Sequence, residues 1–212
     1  MTITALTTYR SLEFPNLLWL EAETADGVVG LGETFYAAEA VEAYIHANLA
    51  PIVLGMSAVD IEAVHYRTRP YIGFVAASTE LRARSALDIA LWDVLGKLTG
   101  QPISVLLGGR IRSQIPVYNT CAGNQYVRGT KLGTTQNFGI ASSGTDQNHE
   151  DLDRFLNDPV GLAGSLLDMG IDSMKIWPFD FAAESTQGQF ISPAELDKAL
   201  APFKAIKKEY GD

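Results

Sequence analysis

A single cysteine, Cys121, stands in 212 residues. No disulfide can form within the chain, so the stapled scaffolds of small secreted domains are excluded and a reducing compartment is expected. Basic runs are also lacking. With a net charge of −9 the chain has no cationic stripe, which argues against nucleic acid and against anionic membrane surfaces as partners. No apolar stretch approaches the roughly 20 residues of a membrane span. The opening MTITALTTYRSLEF has no basic segment followed by an apolar one, so it is not read as a signal peptide. A soluble, cytoplasmic protein is expected. Histidine is scarce too: His46, His65 and His149 have no metal-ligand spacing.

What remains is rich in core-forming material. Hydrophobic residues make up 47% and charged residues 19%, a globular balance. LLWLEAET (17–24) alternates, with Leu18, Leu20 and Ala22 on one face. Asp26-Gly27 signals a turn, and VVGLGETF follows as the return strand of a hairpin. Gly30-Leu31-Gly32 lacks the third glycine and the strand-to-helix setting of a dinucleotide fingerprint. Residues 37–49 read as a helix, and Asp60 as the N-cap of a short second one. Thr79 to Thr99 is the clearest helix, with Thr79 able to cap its start. Leu87, Ala90, Leu91, Val94, Leu95 and Leu98 make a full apolar stripe, and Gly100 and Pro102 close it.

After GGRIRSQ (108–114) the order changes. IPVYNTCAG (115–123) reads as a strand, then a polar loop runs to about 148. Helical sequence follows, interrupted at Asp158-Pro159, and then a strand in GIDSMKIWPFD (170–180). A second polar loop covers 180–191. A last helix has Ser192 as N-cap and Pro193 in its first turn. Strand, helix, strand, helix implies parallel βα units. Two such units leave open sheet edges, so a longer protein is expected.

SALDIALWDVLGKLTGQPISVLLGG (85–109) resembles the signature helix and linker of the enolase superfamily, in the mandelate racemase and muconate lactonizing enzyme branch. The hairpin ending in GLGETF, the IPVYN strand and GIDSMKIWPFD are similar to further parts of that family. The chain would then be the N-terminal half of a member. The resemblance implies an α+β capping domain over 1–113, then the first two βα units of a TIM-like barrel over 114–212, with the barrel incomplete in this chain. It also implies proton abstraction beside a carboxylate, with Mg²⁺ held by carboxylates on the third, fourth and fifth strands. Those ligands are expected beyond residue 212, and the 212-residue chain alone is expected to be inactive.

Alternation along GIDSMKIWPFD places Lys175 and Trp177 on one face and Met174 and Ile176 on the other. If the apolar pair meets the helices, Lys175 points into the barrel mouth, where such folds react. Lys175 is the catalytic candidate, as a base or as a fixed charge. The plain alternative is a lysine reaching to water. Trp177 stands where many members of the family carry a second lysine that acts as base. An indole takes no proton, so reaction from one base, as in dehydration of a hydroxy or sugar acid, is favoured over two-base racemisation. Trp177 would shape the pocket or simply fill the interior.

Asn119 is a candidate for a substrate hydroxyl, with nearby backbone groups as the competing partner. Phe14, in the SLEFPN (11–16) loop, is a candidate to cover the substrate. Cys121 reads as a small buried residue, Asp180 as a loop carboxylate, Glu33 as structural. Arg128 and Lys131, in the first polar loop, are candidates to meet an anion or are ordinary solvated charge.

The expected protein is thus part of a Mg²⁺-dependent lyase or isomerase acting on a small carboxylate, a homo-oligomer, with the missing C-terminal half as a further partner. The alternatives are a racemase, epimerase or cycloisomerase of the same superfamily, a non-catalytic fragment or interaction module without a metal site, and an unrelated α/β binding protein.

Overall fold

The computed structural model describes residues 1–73, 77–123, 126 and 150–211. The chain divides into two compact units, Met1–Ser113 and Gln114–Asp212.

The first unit is a three-stranded antiparallel meander backed by helices. Strands β1 (Ile3–Arg10), β2 (Leu17–Thr24) and β3 (Val29–Phe35) lie in that order. The expected hairpin is β2–β3, with Leu20 opposite Gly32 and Trp19 opposite Glu33. Gly27 takes a positive φ of 77° in its turn. Strand β1, which pairs Tyr9 with Trp19, was not legible beforehand. Its threonines keep it half exposed, so it lacks the apolar alternation that marks β2. Leu18, Leu20 and Ala22 are buried and turn toward the helices. On the opposite face Trp19 Nε1 donates to Glu33 at 2.9 Å and the Tyr9 hydroxyl to Glu21 at 2.8 Å. Glu33 is thus a cross-strand hydrogen-bond acceptor.

Helix α1 (Ala38–Tyr44) continues through a π-helical turn, Ile45–Leu49, into α2 (Ala50–Val53). The wide turn is accounted for by Pro51, which has no N–H to donate and whose ring crowds the carbonyl four residues back. Helix α3 spans Ile61–Thr68 from Asp60, whose side chain makes no capping bond. Helix α4 runs Thr79–Thr99 as the stripe predicts, with Ala83, Ala86, Leu87, Ala90, Leu91 and Val94 buried. Its N-cap is Ser78 rather than Thr79, and Gly100 closes it in the left-handed region. A short α5 (Ile103–Leu106) follows.

Helix α4 crosses β3 closely enough to explain the glycines there. A Cβ on Gly30 would lie 2.6 Å from Val94 Cγ2, and one on Gly32 2.9 Å from the Ala86 carbonyl carbon, with the carbonyl oxygens nearer still. GLG is therefore a helix-docking surface. The same helix ties down the free edge of β3, which has β2 on one side only. Asp93 accepts from the Leu31 N–H at 2.8 Å, Lys97 donates to the Val29 carbonyl at 2.7 Å, and Arg82 donates to the Phe35 carbonyl. Asp93 and Lys97 also pair with each other at 2.8 Å. An edge that would otherwise invite another strand is satisfied by side chains.

In the second unit β4 (Asn119–Thr120) pairs in parallel with β5 (Met174–Lys175). Helices α6 (Asp151–Asn157) and α7 (Pro159–Asp168) lie between them in sequence, and α8 (Asp180–Thr186) and α9 (Pro193–Tyr210) follow. The order is the predicted one, but the paired stretches are much shorter than the apolar runs: Ile115, Val117 and Tyr118 are exposed. The expected loop over 180–191 contains α8, and Asp180 opens it. Asp158 caps α7 by accepting from Gly161 N–H, as Pro159 at its first position suggests. Ser192 and Glu195 form a reciprocal capping box at α9, in which Ser192 Oγ and the Ser192 N–H donate to Glu195 at 2.6 and 2.9 Å. Those bonds hold the Glu195 carboxyl below its ordinary pKa. The core of this unit is Cys121, Leu152, Phe155, Leu162 and Leu166, with Met174 and Ile176 packed against it.

Candidate functional site

Met174 and Ile176 meet the helices, so the alternate residues of the same strand turn the other way. Lys175 is exposed, and its Nζ lies 5.3 Å from the centre of the Trp177 ring. An ammonium over an indole face is held by the ring quadrupole, a contact worth roughly 0.5–1 kcal/mol where water has access. The sequence explains the geometry: alternation turns the pair outward, and Pro178 ends the extended run. Both residues lie at the C-terminal end of β5, the end at which parallel βα sheets gather their ligands.

The register decides what stands beside them. Asn119 pairs with Met174 and Thr120 with Lys175. Neighbours in a parallel pair share a face, so Thr120 accompanies Lys175 while Asn119 turns toward the helices. There the Asn119 amide donates to Asp151 Oδ2 at 2.7 Å and to Cys121 Sγ at 3.5 Å. The candidate Asn119 is thus not brought to the Lys175 face. It ties the first residue of β4 to the start of α6, and Thr120 occupies the place that the sequence reading offered to it. Choosing between the two needs the pairing register, which one strand alone does not contain.

Cys121 is fully buried. Burial pushes its thiol up to about 11; the Asn119 bond lowers it and the Asp151 charge raises it. At pH 8 such a thiol holds about two orders of magnitude less thiolate than an exposed one. Iodoacetamide is therefore expected to leave Cys121 unmodified in the folded chain at pH 8 and to label it fully in concentrated urea. Prompt labelling of the folded chain would show that the thiol is at the surface.

Phe14 belongs to the first unit and is half-buried, in a turn where Ser11 Oγ accepts from the Glu13 and Phe14 N–H groups and the Phe14 carbonyl accepts from Leu17. His46 bonds Thr8 at 2.8 Å, and Arg84 donates to His65 at 3.1 Å. Arg128, Lys131 and His149 lie outside the described residues. One neighbour of Trp177 had no sequence signal: Tyr126, whose ring stacks on Trp177 at 6.0 Å between centres and 24° between planes.

Among the described residues no group of three or more His, Cys, Asp or Glu side chains is placed to hold a metal ion. No helix among them is long and apolar enough to cross a membrane.

Residues 4–108 match the family described as mandelate racemase / muconate lactonizing enzyme, N-terminal domain. The whole chain superposes on an enolase of the mandelate racemase subgroup from Agrobacterium tumefaciens, with a TM-score of 0.80 and 42% identity, covering 48% of that chain. The chain belongs to the mandelate racemase and muconate lactonizing enzyme branch of the enolase superfamily.

The first unit is accordingly the α+β capping domain of that superfamily. Two further relatives bear on the chemistry. A D-galactonate dehydratase from Verminephrobacter eiseniae is 36% identical over 130 residues, 59% of this chain and 32% of that protein. An enolase from Pantoea ananatis, with bound D-gluconate and Mg, is 31% identical with a TM-score of 0.52, over 60% of this chain and 32% of that one. The chain thus spans about half the length of the Agrobacterium enolase, and its matches to the other two cover about a third of each.

Proposed function

We propose that this chain supplies the capping domain, 1–113, and the first two βα units, 114–212, of a (β/α)-barrel enzyme that dehydrates a sugar acid. The observation that carries the reading is Lys175, turned outward over Trp177 at the C-terminal end of β5. Relatives named for D-galactonate dehydration, and one with bound D-gluconate and Mg, support the choice of substrate class. A cytoplasmic homo-oligomer belongs to the same reading.

The chemistry is enolisation followed by elimination. A base removes the proton from the carbon beside the carboxylate, and the C–H electron pair moves into the carboxylate as an enediolate. That pair then returns to form the C2–C3 double bond, and the C3 hydroxyl leaves with a proton as water. The resulting enol becomes a 2-keto-3-deoxy acid. Lys175, as a positioned positive charge, stabilises the carboxylate as negative charge accumulates on it. Trp177 cannot exchange a proton and acts as wall and support. Thr120, which pairs with Lys175 across the strand pair, is the residue of β4 that meets the substrate.

A magnesium ion in this family supplies a Lewis acid for the enediolate. The described residues hold no ligand set for it, and the resemblance assigns that role to strands after the first two. Titrating Mg²⁺ calorimetrically into the 212-residue chain is expected to give no stoichiometric binding.

The reading is tested by incubating the intact protein with Mg²⁺ and a panel of hexonic acids, then trapping 2-keto acids with semicarbazide. A product from at least one hexonate is expected. Absence of product across the panel, from protein whose circular dichroism shows it folded, would overturn the assignment.

A further inference from the structure

The ladder that places Lys175 is short. Asn119 and Thr120 pair with Met174 and Lys175, and two parallel rungs add little stability by themselves. The Asn119 N–H donates to the Ser173 carbonyl at 2.9 Å, and the Cys121 N–H donates to the Lys175 carbonyl at 3.1 Å. Lys175 is thus gripped at its own backbone. The side chains of those two donors are joined to each other and to a helix. The Asn119 amide donates to Cys121 Sγ at 3.5 Å and to Asp151 Oδ2 at 2.7 Å. Asp151 is the first residue of α6, and Leu152 and Phe155 of that helix share a core with Cys121. The bond to Asp151 is short and charge-assisted, which is the stronger class of hydrogen bond.

We infer that Asn119 and Asp151 are positioning residues: their bond fixes β4 against α6, keeps the Cys121 N–H on the Lys175 carbonyl, and so holds Lys175 in place for the reaction. The inference rests on the dehydratase reading and adds to it two residues that act from behind the strand. The physical basis is direction. Apolar packing of Met174 and Ile176 tolerates small slips along the strand, whereas an amide shared between a thiol and a carboxylate has one geometry. Where the ammonium lies depends on where the strand puts the Lys175 backbone. A displacement of about 1 Å can cost a reaction 10²-fold. The surrounding core persists without the bond, so a loss of about tenfold in kcat is expected.

The experiment measures kcat, KM and urea midpoint of the intact enzyme on a hexonate that it dehydrates. Asn119→Ala and Asp151→Ala are each expected to lower kcat about tenfold and to leave KM within about twofold. The double alanine variant is expected to lose no more than either single one, because both remove the same bond. The reversed pair, Asn119→Asp with Asp151→Asn, exchanges donor and acceptor and is expected to recover kcat to within about threefold of the parent. Leu162→Ala is the control for stability alone. It opens the same core and is expected to lower the urea midpoint at least as far, with kcat within about twofold of the parent. A kcat that merely follows the urea midpoint through all the variants would overturn the inference. Unchanged kcat in the alanine variants, or a reversed pair as slow as they are, would overturn it as well. A parent inactive on every hexonate would instead overturn the dehydratase reading, and the inference with it.

Discussion

On the dehydratase reading, Lys175→Ala in the intact protein is expected to lower kcat/KM on a sugar acid by about 10²–10⁴, while the fold survives. The size follows from the job. A charge aimed at a developing enediolate acts only in the transition state, so its removal appears in kcat more than in KM. Survival of the fold follows from position: Lys175 is exposed, and its neighbours Met174 and Ile176 carry the packing against the core of the second unit. Lys175→Arg separates two roles. Arginine keeps the charge but does not give up a proton near neutral pH. Partial activity in Lys175→Arg is expected if Lys175 acts as a fixed charge, and activity as low as the alanine variant if it must take a proton. Steady-state rates of the three proteins, with circular dichroism as the control, make the comparison. Full activity in Lys175→Ala would remove the residue from the chemistry.

Gly32→Ala is expected to cost the capping domain about 3 kcal/mol, a drop of roughly 1–2 M in its urea midpoint. The new methyl would overlap the Ala86 carbonyl oxygen and stand 3.1 Å from the Ala90 nitrogen. Both are backbone atoms inside α4, so no side chain can swing aside. Helix α4 must lift from β3, which also strains the bonds that Asp93 and Lys97 make to the Leu31 and Val29 backbone. Gly30→Ala meets Ala90 and Val94 in the same way and should behave alike. Gly73→Ala is the control, because a Cβ there meets nothing within 4 Å. Urea titrations of the 212-residue chain followed by circular dichroism give the midpoints. Equal midpoints for Gly32→Ala and Gly73→Ala would contradict the close approach.

These two sites show what a sequence read alone does and does not contain. The outward facing of Lys175 and Trp177 was legible because strand alternation is local, and the partly buried Met174 and Ile176 that alternate with them mark the inward face. Helix α4 was legible for the same kind of reason: its stripe repeats over 21 residues and ends at Gly100. Ser192 and Pro193 announced the start of α9 from adjacent residues. The purpose of Gly30 and Gly32 was hidden, since it lies in a helix more than 50 residues on. Asn119 and Thr120 could not be ranked without the register to β5. Tyr126 reaches Trp177 only through a turn, with no periodicity to announce it. Helix α8 was hidden by its length. Seven residues between Pro178 and Gly188, with Ala182 alone buried, leave no apolar stripe to read.

The fate of the substrate's C2 proton tests the central claim most directly. The intact enzyme is incubated with D-galactonate and Mg²⁺ in D₂O, and proton NMR follows C2 and C3. Enolisation without a second base at position 177 predicts a 2-keto-3-deoxy acid as the accumulating product, with deuterium entering at C3, and no build-up of the C2 epimer. Accumulation of the epimer with deuterium at C2, and no keto acid, would contradict it and show that a second proton donor completes the site.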